Sequence, residues 1–202
     1  MTKIKICGIT RESEIDVLNE CRVDYAGFVI FPDSKRYVTV ERARELKSHL
    51  DAGIKAVAVT VNPNLDLLRE IESAGFDIIQ IHKELDMKKI NQITIPVWLA
   101  LQVKKDDFSL PVFSDNIEKI LLDAPQYGSG KTFDWEQFPF SRTELWQGRE
   151  LILAGGLTEE NVTRGMDLFH PYAVDVSSSV EGENGKDPDK IKAFVRKVRE
   201  HE

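Results

Sequence analysis

Residues 56–81 read Ala56-Val-Ala-Val-Thr-Val61, Asn62-Pro-Asn64, Leu65-Asp-Leu-Leu-Arg-Glu-Ile71, Glu72-Ser-Ala-Gly75, Phe76-Asp77 and Ile78-Ile-Gln-Ile81. Ala56–Val61 and Ile78–Ile81 have the length and nearly unbroken apolarity of strands buried on both faces, as in a parallel sheet. Between them Leu67, Leu68 and Ile71 fall on one face of a helix. Asn64 is placed to cap its start and Gly75 to end it in a left-handed conformation. The stretch is one strand–helix–strand unit.

Working outward, the same alternation fills the chain. Further strand-like runs are Ile4–Cys7, Tyr25–Ile30, Val97–Leu101, Ile120–Leu122, Leu151–Ala154 and Ala173–Val176, which makes eight in all. Ile15, Leu18 and Cys21 form the apolar stripe of a first helix. Thr39 caps a second that runs to about Leu50, with Ala43, Leu46 and Leu50 inside. Thr158, followed by Glu159-Glu160, starts another, with its acids suited to a first turn. Asp187-Pro188 opens the last, with Ile191, Phe194, Val195 and Val198 packed inward. Phe108–Phe113 is less periodic, and Asp134–Trp146 is irregular and aromatic-rich.

Eight strands alternating with roughly eight helices predict an α/β fold of the (β/α)8 TIM-barrel type, a single compact domain over residues 1–202. At about 25 residues per unit, the connections must be short. An open sheet of five or six strands is the alternative, if two of the runs are loops.

The chain carries 27 Lys+Arg against 34 Asp+Glu, a formal net charge of −7, which argues against a general nucleic-acid binder. Two cysteines, Cys7 and Cys21, cannot form a disulfide scaffold. No apolar run approaches the roughly 18 residues of a membrane span. The opening residues show no apolar signal region, so a cytoplasmic protein with reduced thiols is expected. With no long exposed apolar stripe in the sequence, a monomer is expected.

In such a barrel the strand C-termini converge on the functional face. The residues at those ends are Cys7-Gly8, Ser34-Lys35-Arg36, Asn62, His82, Asp123, Gly155-Gly156, and Asp175 with Ser177–Ser179. Gly155-Gly156 and the serine run follow strands seven and eight, where this fold recurrently cradles phosphate. Cys7, beside the permissive Gly8 and the polar Lys5 and Thr10, can act as a general base or as a nucleophile. Asp123 leaves a buried strand, a setting that raises a carboxyl pKa and suits a general acid. The planar fork of Arg36 suits a carboxylate or a phosphate. His82 alone reads better as a hydrogen-bonded buried histidine than as a catalytic one, and Cys21 as packing. No His/Cys/carboxylate spacing suggests a metal, so no metal and no cofactor are expected. Gly128-Ser-Gly-Lys-Thr132 lacks the full spacing of a nucleotide phosphate loop. Beside an enzyme working by general acid–base catalysis, the residues leave open a hydrolase using Cys7, His82 and Asp123 and a silent phosphosugar-binding module.

Several motifs together resemble the phosphoribosylanthranilate isomerase family of tryptophan biosynthesis. They are Lys5-Ile-Cys-Gly-Ile-Thr10, Gly27-Phe-Val-Ile-Phe31 through Ser34-Lys-Arg-Tyr37, Gln80-Ile-His82, and Leu121-Leu-Asp123 with Gly128–Trp135. Leu153-Ala-Gly-Gly-Leu157 and Val174-Asp-Val-Ser-Ser178 complete the set. The resemblance implies that Cys7 is the general base and Asp123 the general acid of an Amadori rearrangement. It implies that Arg36 holds the anthranilate carboxylate, and that Gly155, Gly156, Ser177 and Ser178 hold the phosphate. His82 and Asp175 are taken as further substrate-facing residues, and the partner is a small phosphosugar. Lys83 and Ser179 stand where that family usually has glycine. Thr60 and Ala58 replace its more usual Phe and Gly, and Tyr127 takes a glycine place.

Overall fold

Eight parallel strands close into a barrel in sequential order, β1 pairing with both β2 and β8. The computed structural model describes residues 1–83, 86–102, 114–123, 135 and 148–201. Its strands are β1 (Lys3–Cys7), β2 (Tyr25–Val29), β3 (Lys55–Val61), β4 (Ile78–His82), β5 (Val97–Gln102), β6 (Ile117–Asp123), β7 (Glu150–Leu153) and β8 (Ala173–Val176). Helices α1 (Glu12–Cys21), α2 (Val40–Lys47), α3 (Leu65–Ser73), α4 (Met87–Ile90), α5 (Val162–Phe169) and α6 (Pro188–Glu200) lie between or after them. A 3-10 turn (Ser178–Val180) and a short hairpin, β9 (Glu181–Gly182) with β10 (Gly185–Lys186), connect β8 to α6.

Strand alternation divides the apolar residues into two cores. On one face Ile4, Ile6, Phe28, Ile79 and Leu122 pack in one cluster with the helical Ile15, Leu18, Ile71 and Phe194. Fully burying each such side chain contributes roughly 1.5–3 kcal/mol. On the other face Cys7, Tyr25, Val57, Val59, Trp98, Leu121 and Ile152 fill the barrel interior. Trp98 is fully buried and meets Tyr25 edge to face at 4.8 Å. Toward the strand N-termini the hydroxyls of Tyr25 and Tyr172 share a 2.7 Å hydrogen bond.

The caps follow side-chain chemistry. Thr39 Oγ1 accepts from Arg42 N at 3.1 Å, and Asn64 Oδ1 from Leu67 N at 2.8 Å. Asp187 Oδ1 accepts from Asp189 N and Lys190 N, with Pro188 in the first turn. Each such cap is worth about 1 kcal/mol. Two helix boundaries differ from the expectation. The second helix ends at Lys47 rather than near Leu50, closed by Ser48, whose hydroxyl donates to Glu45 O at 2.6 Å. The helix expected from Thr158 begins at Val162. Asn161 turns back, its Oδ1 accepting from Thr158 N and its Nδ2 donating to Gly156 O, so residues 158–161 form a turn. Phe108–Phe113, Gly128–Thr132 and all of Asp134–Trp146 except Trp135 lie outside the described residues. Trp135 is buried and meets Phe169 edge-on at 6.1 Å.

Candidate active site

A cavity of about 480 Å³ opens at the C-terminal mouth of the barrel. The nine residues given a catalytic or substrate-facing role from the sequence all line it: Cys7, Arg36, His82, Asp123, Gly155, Gly156, Asp175, Ser177 and Ser178. The topology accounts for the gathering. Cys7, His82 and Asp123 are the last residues of β1, β4 and β6, while Gly155 and Ser177 lie just beyond β7 and β8.

Cys7 sits over a buried ion pair. Ile4 and Ile6 face the helices, so Lys5 and Cys7 share the interior face of β1. Lys5 is wholly buried, donates to Asp175 Oδ2 at 2.8 Å, and hydrogen-bonds the Cys7 thiol. Burial works against its charge, but Asp175 and Cys7 outweigh burial and raise its pKa. Burial pushes the Cys7 thiol up, with the Lys5 ammonium opposing. Gly27, on the neighbouring strand, leaves the space: a Cβ there would lie 2.9 Å from Cys7 Sγ and 3.1 Å from Lys5 Nζ.

His82 is buried, and Gln80 Nε2 donates to its Nε2 at 2.8 Å, which leaves the proton of the neutral ring on Nδ1. Burial and the positive Lys5 depress its pKa to about 3, so it is neutral at pH 7. A ring whose Nε2 receives the Gln80 amide does not fit the base of a Cys-His-Asp hydrolase, which answers that reading of the sequence.

Gly155 and Gly156 have φ of +80° and +72°, values that favour residues without a Cβ and that bare the backbone to a ligand. Ser178 opens the 3-10 turn beside them. Ser177 lines the cavity with them, and its hydroxyl also donates to Cys7 O at 2.9 Å, tying β8 to β1. Ser179 turns its hydroxyl to Leu157 O at 2.5 Å and links the loops that follow β7 and β8.

The Arg36 stem lies across Gly8, where any Cβ would collide with it, so this glycine makes room for the arginine rather than for a ligand. Arg36 Nε donates to Glu181 Oε1, while its Nη2 is buried with no hydrogen-bond partner among the described residues. Glu181 also accepts from Lys35 at 3.0 Å and Lys186 at 3.1 Å. Burial would raise its pKa, but Arg36, Lys186 and Lys35 outweigh it and hold the carboxyl at about 2. Lys186 Nζ further donates to Ser177 O at 2.9 Å, and Lys186 N donates to the buried Glu14 at 2.7 Å. The sequence reading missed Glu181 and Lys186. The signal available was Gly182 and Gly185 just before the Asp-Pro cap, a hairpin pattern. It also left Gln80 out of the candidate site, although Gln80 Oε1 and Asp175 Oδ1 are buried acceptors with no partner among the described residues. Both residues line the cavity.

A closed eight-stranded barrel with its ionisable side chains at the C-terminal mouth is a (β/α)8-barrel enzyme. The sequence pattern described as N-(5'phosphoribosyl)anthranilate (PRA) isomerase matches residues 4–197, and the chain belongs to that family. It is 40% identical over 201 residues to the N-(5'-phosphoribosyl)anthranilate isomerase of Streptococcus gordonii, covering 99% of each. Its fold matches monomers generated from the dimeric phosphoribosylanthranilate isomerase of Thermotoga maritima, with a TM-score of 0.83 at 35% identity, over 99% of this chain and 100% of that one. It also matches a phosphoribosyl anthranilate isomerase in complex with reduced 1-(o-carboxyphenylamino)-1-deoxyribulose 5-phosphate, with a TM-score of 0.81 at 32% identity, over 99% and 100%.

Proposed function

We propose that this chain catalyses its family's isomerisation, a step of tryptophan biosynthesis, with Cys7 as general base and Asp123 as general acid. The carrying observation is that a thiol and a carboxyl share one cavity with a guanidinium, whose buried Nη2 has no hydrogen-bond partner among the described residues, and with a Gly-Gly and serine loop pair. The substrate is N-(5-phosphoribosyl)anthranilate. Its carboxylate meets Arg36 Nη2, and its phosphate meets the backbone of Gly155-Gly156 and Ser178. Asp175 Oδ1 and Gln80 Oε1 accept from ribose hydroxyls, and His82 holds Gln80 in place.

Asp123 gives a proton to the furanose ring oxygen, and the C1–O bond breaks to leave an iminium at C1. That cation acidifies the C2 hydrogen, which the Cys7 thiolate removes as the electron pair moves to form the enolamine. Lys5 stabilises the thiolate while it lasts. Tautomerisation of the enolamine gives 1-(2-carboxyphenylamino)-1-deoxyribulose 5-phosphate. The relative crystallised with a reduced form of that compound supports this choice of substrate class.

The chain works as one barrel domain over residues 1–202 in the cytoplasm. Among the described residues no helix is long and apolar enough to cross a membrane. Only Met1, Tyr37 and Leu168 are large exposed hydrophobics there, which supports a monomer even though one relative is dimeric.

The test follows loss of anthranilate-type fluorescence as substrate generated in situ is consumed by purified chain, run alongside sedimentation expected to give a monomer. Cys7→Ala and Asp123→Asn each reduce turnover by at least about a thousandfold, with the circular dichroism spectrum retained. Near-wild-type turnover in either variant would overturn its assigned role.

A further inference from the structure

Glu181 is a carboxylate held next to the side chain that receives a carboxylate. By Coulomb's law alone it should repel the substrate and weaken binding. Its geometry shows a compensating use. Oε1 takes Arg36 Nε and Lys186 Nζ, and Oε2 takes Lys35 Nζ at 3.0 Å. With its Nε fixed and its stem laid over Gly8, the planar guanidinium has its orientation set where Arg36 lines the cavity, and its Nη2 is buried with no hydrogen-bond partner among the described residues. Glu181 is itself fixed from behind, because the hairpin that carries it is anchored by Lys186 to Ser177 O and by Lys186 N to Glu14.

We propose that Glu181 is a positioning residue that acts through Arg36, orienting the guanidinium edge so that it selects an aromatic substrate bearing a carboxylate beside its nitrogen. The proposal rests on the reading of Arg36 as the carboxylate receptor. Glu181 touches neither the reacting atoms nor the substrate. It fixes beforehand an orientation that a long, rotamer-rich side chain would otherwise have to find at each binding event. The hairpin that follows β8 is in this sense a specificity element for the loop that follows β2.

The sign of one measurement separates orientation from charge. Glu181→Gln removes a negative charge near an anion site, so a purely electrostatic role lowers KM. A positioning role raises it, by about tenfold, with kcat kept within about threefold, since binding is disturbed more than chemistry. The same substitution placed on Arg36→Met adds less than about twofold to KM, because the side chain it acts through is gone. Glu181→Asp keeps the charge but draws the oxygen back from Nε, and raises KM by an intermediate amount. It also serves as the second variant if Gln at 181 does not fold. A KM that falls or stays level in the single variants overturns the proposal. An increase that persists undiminished in the Arg36→Met background does so too, and assigns the effect to Lys186 and the phosphate side. If Arg36→Met alone leaves KM unchanged, Arg36 is not the receptor, and that outcome removes the underlying reading separately.

Discussion

His82 shows how one buried side chain couples the barrel to pH. Its imidazole is buried at the end of β4, facing Lys5, and its pKa is depressed to about 3. In the unfolded chain the same group titrates near ~6.5. The folded pKa is the lower one, so its contribution to stability is fully present above about pH 6.5 and is lost as pH falls toward 3, where only the unfolded chain gains the proton. Between pH 7 and pH 5 the wild type should lose about 2 kcal/mol from this group, read as a falling urea midpoint. His82→Gln should flatten that slope, and an unchanged slope would mean the histidine is not the sensor. At this scale the sequence was informative wherever position on a strand decides chemistry: Cys7 and Asp123 are legible as strand ends. It was silent on Glu181, whose partner Arg36 is 145 residues away in sequence. Lys5 could have been read more boldly. On a strand buried on both faces and alternating Lys, Ile, Lys, Ile, Cys, a lysine two residues before the thiol must share its face.

Among the elements, the caps at Thr39, Asn64 and Asp187 were legible because each depends on one side chain and the next turn of backbone. Thr158 misled for a physical reason: Asn161, three residues on, satisfies Thr158 N and fixes Gly156 O, so the backbone is spent on a turn before the helix starts. The β9–β10 hairpin went unread because two-residue strands carry no periodicity. Just after β4, Lys83 has φ of +67°, a left-handed backbone that favours glycine. A left-handed side chain costs roughly 1–2 kcal/mol, and glycine returns roughly 0.5–1 kcal/mol of that in lost backbone entropy. Lys83→Gly should therefore stabilise the chain by about 0.5–1 kcal/mol, visible as a raised thermal midpoint. A lowered midpoint would show that the lysine side chain makes up for the strain.

On the scale of the whole molecule the barrel was legible because eight strands buried on both faces admit few arrangements at this length. What it could not disclose is how the ring is fastened. β1 meets β8 in the register Lys5↔Asp175, with the buried ion pair across the seam and Ser177 Oγ bonded to Cys7 O. Lys5→Met leaves Asp175 buried and unpaired, and should cost about 3–5 kcal/mol by urea unfolding. Lys5→Met combined with Asp175→Leu should recover most of that loss while leaving the chain inactive. A double variant no more stable than the single would show that the pair is more than a charge match. The seam has a consequence for the working enzyme. Cys7 and Asp175 lie on opposite sides of it, as do Arg36 and the Glu181 that steadies it, so any ligand filling the cavity bridges the first and last parts of the ring. Occupancy at a hundred times Kd adds about 2.7 kcal/mol to the closed form. A supply of substrate thus acts as a clasp on the barrel, and the enzyme outlasts its idle counterpart for as long as it is fed.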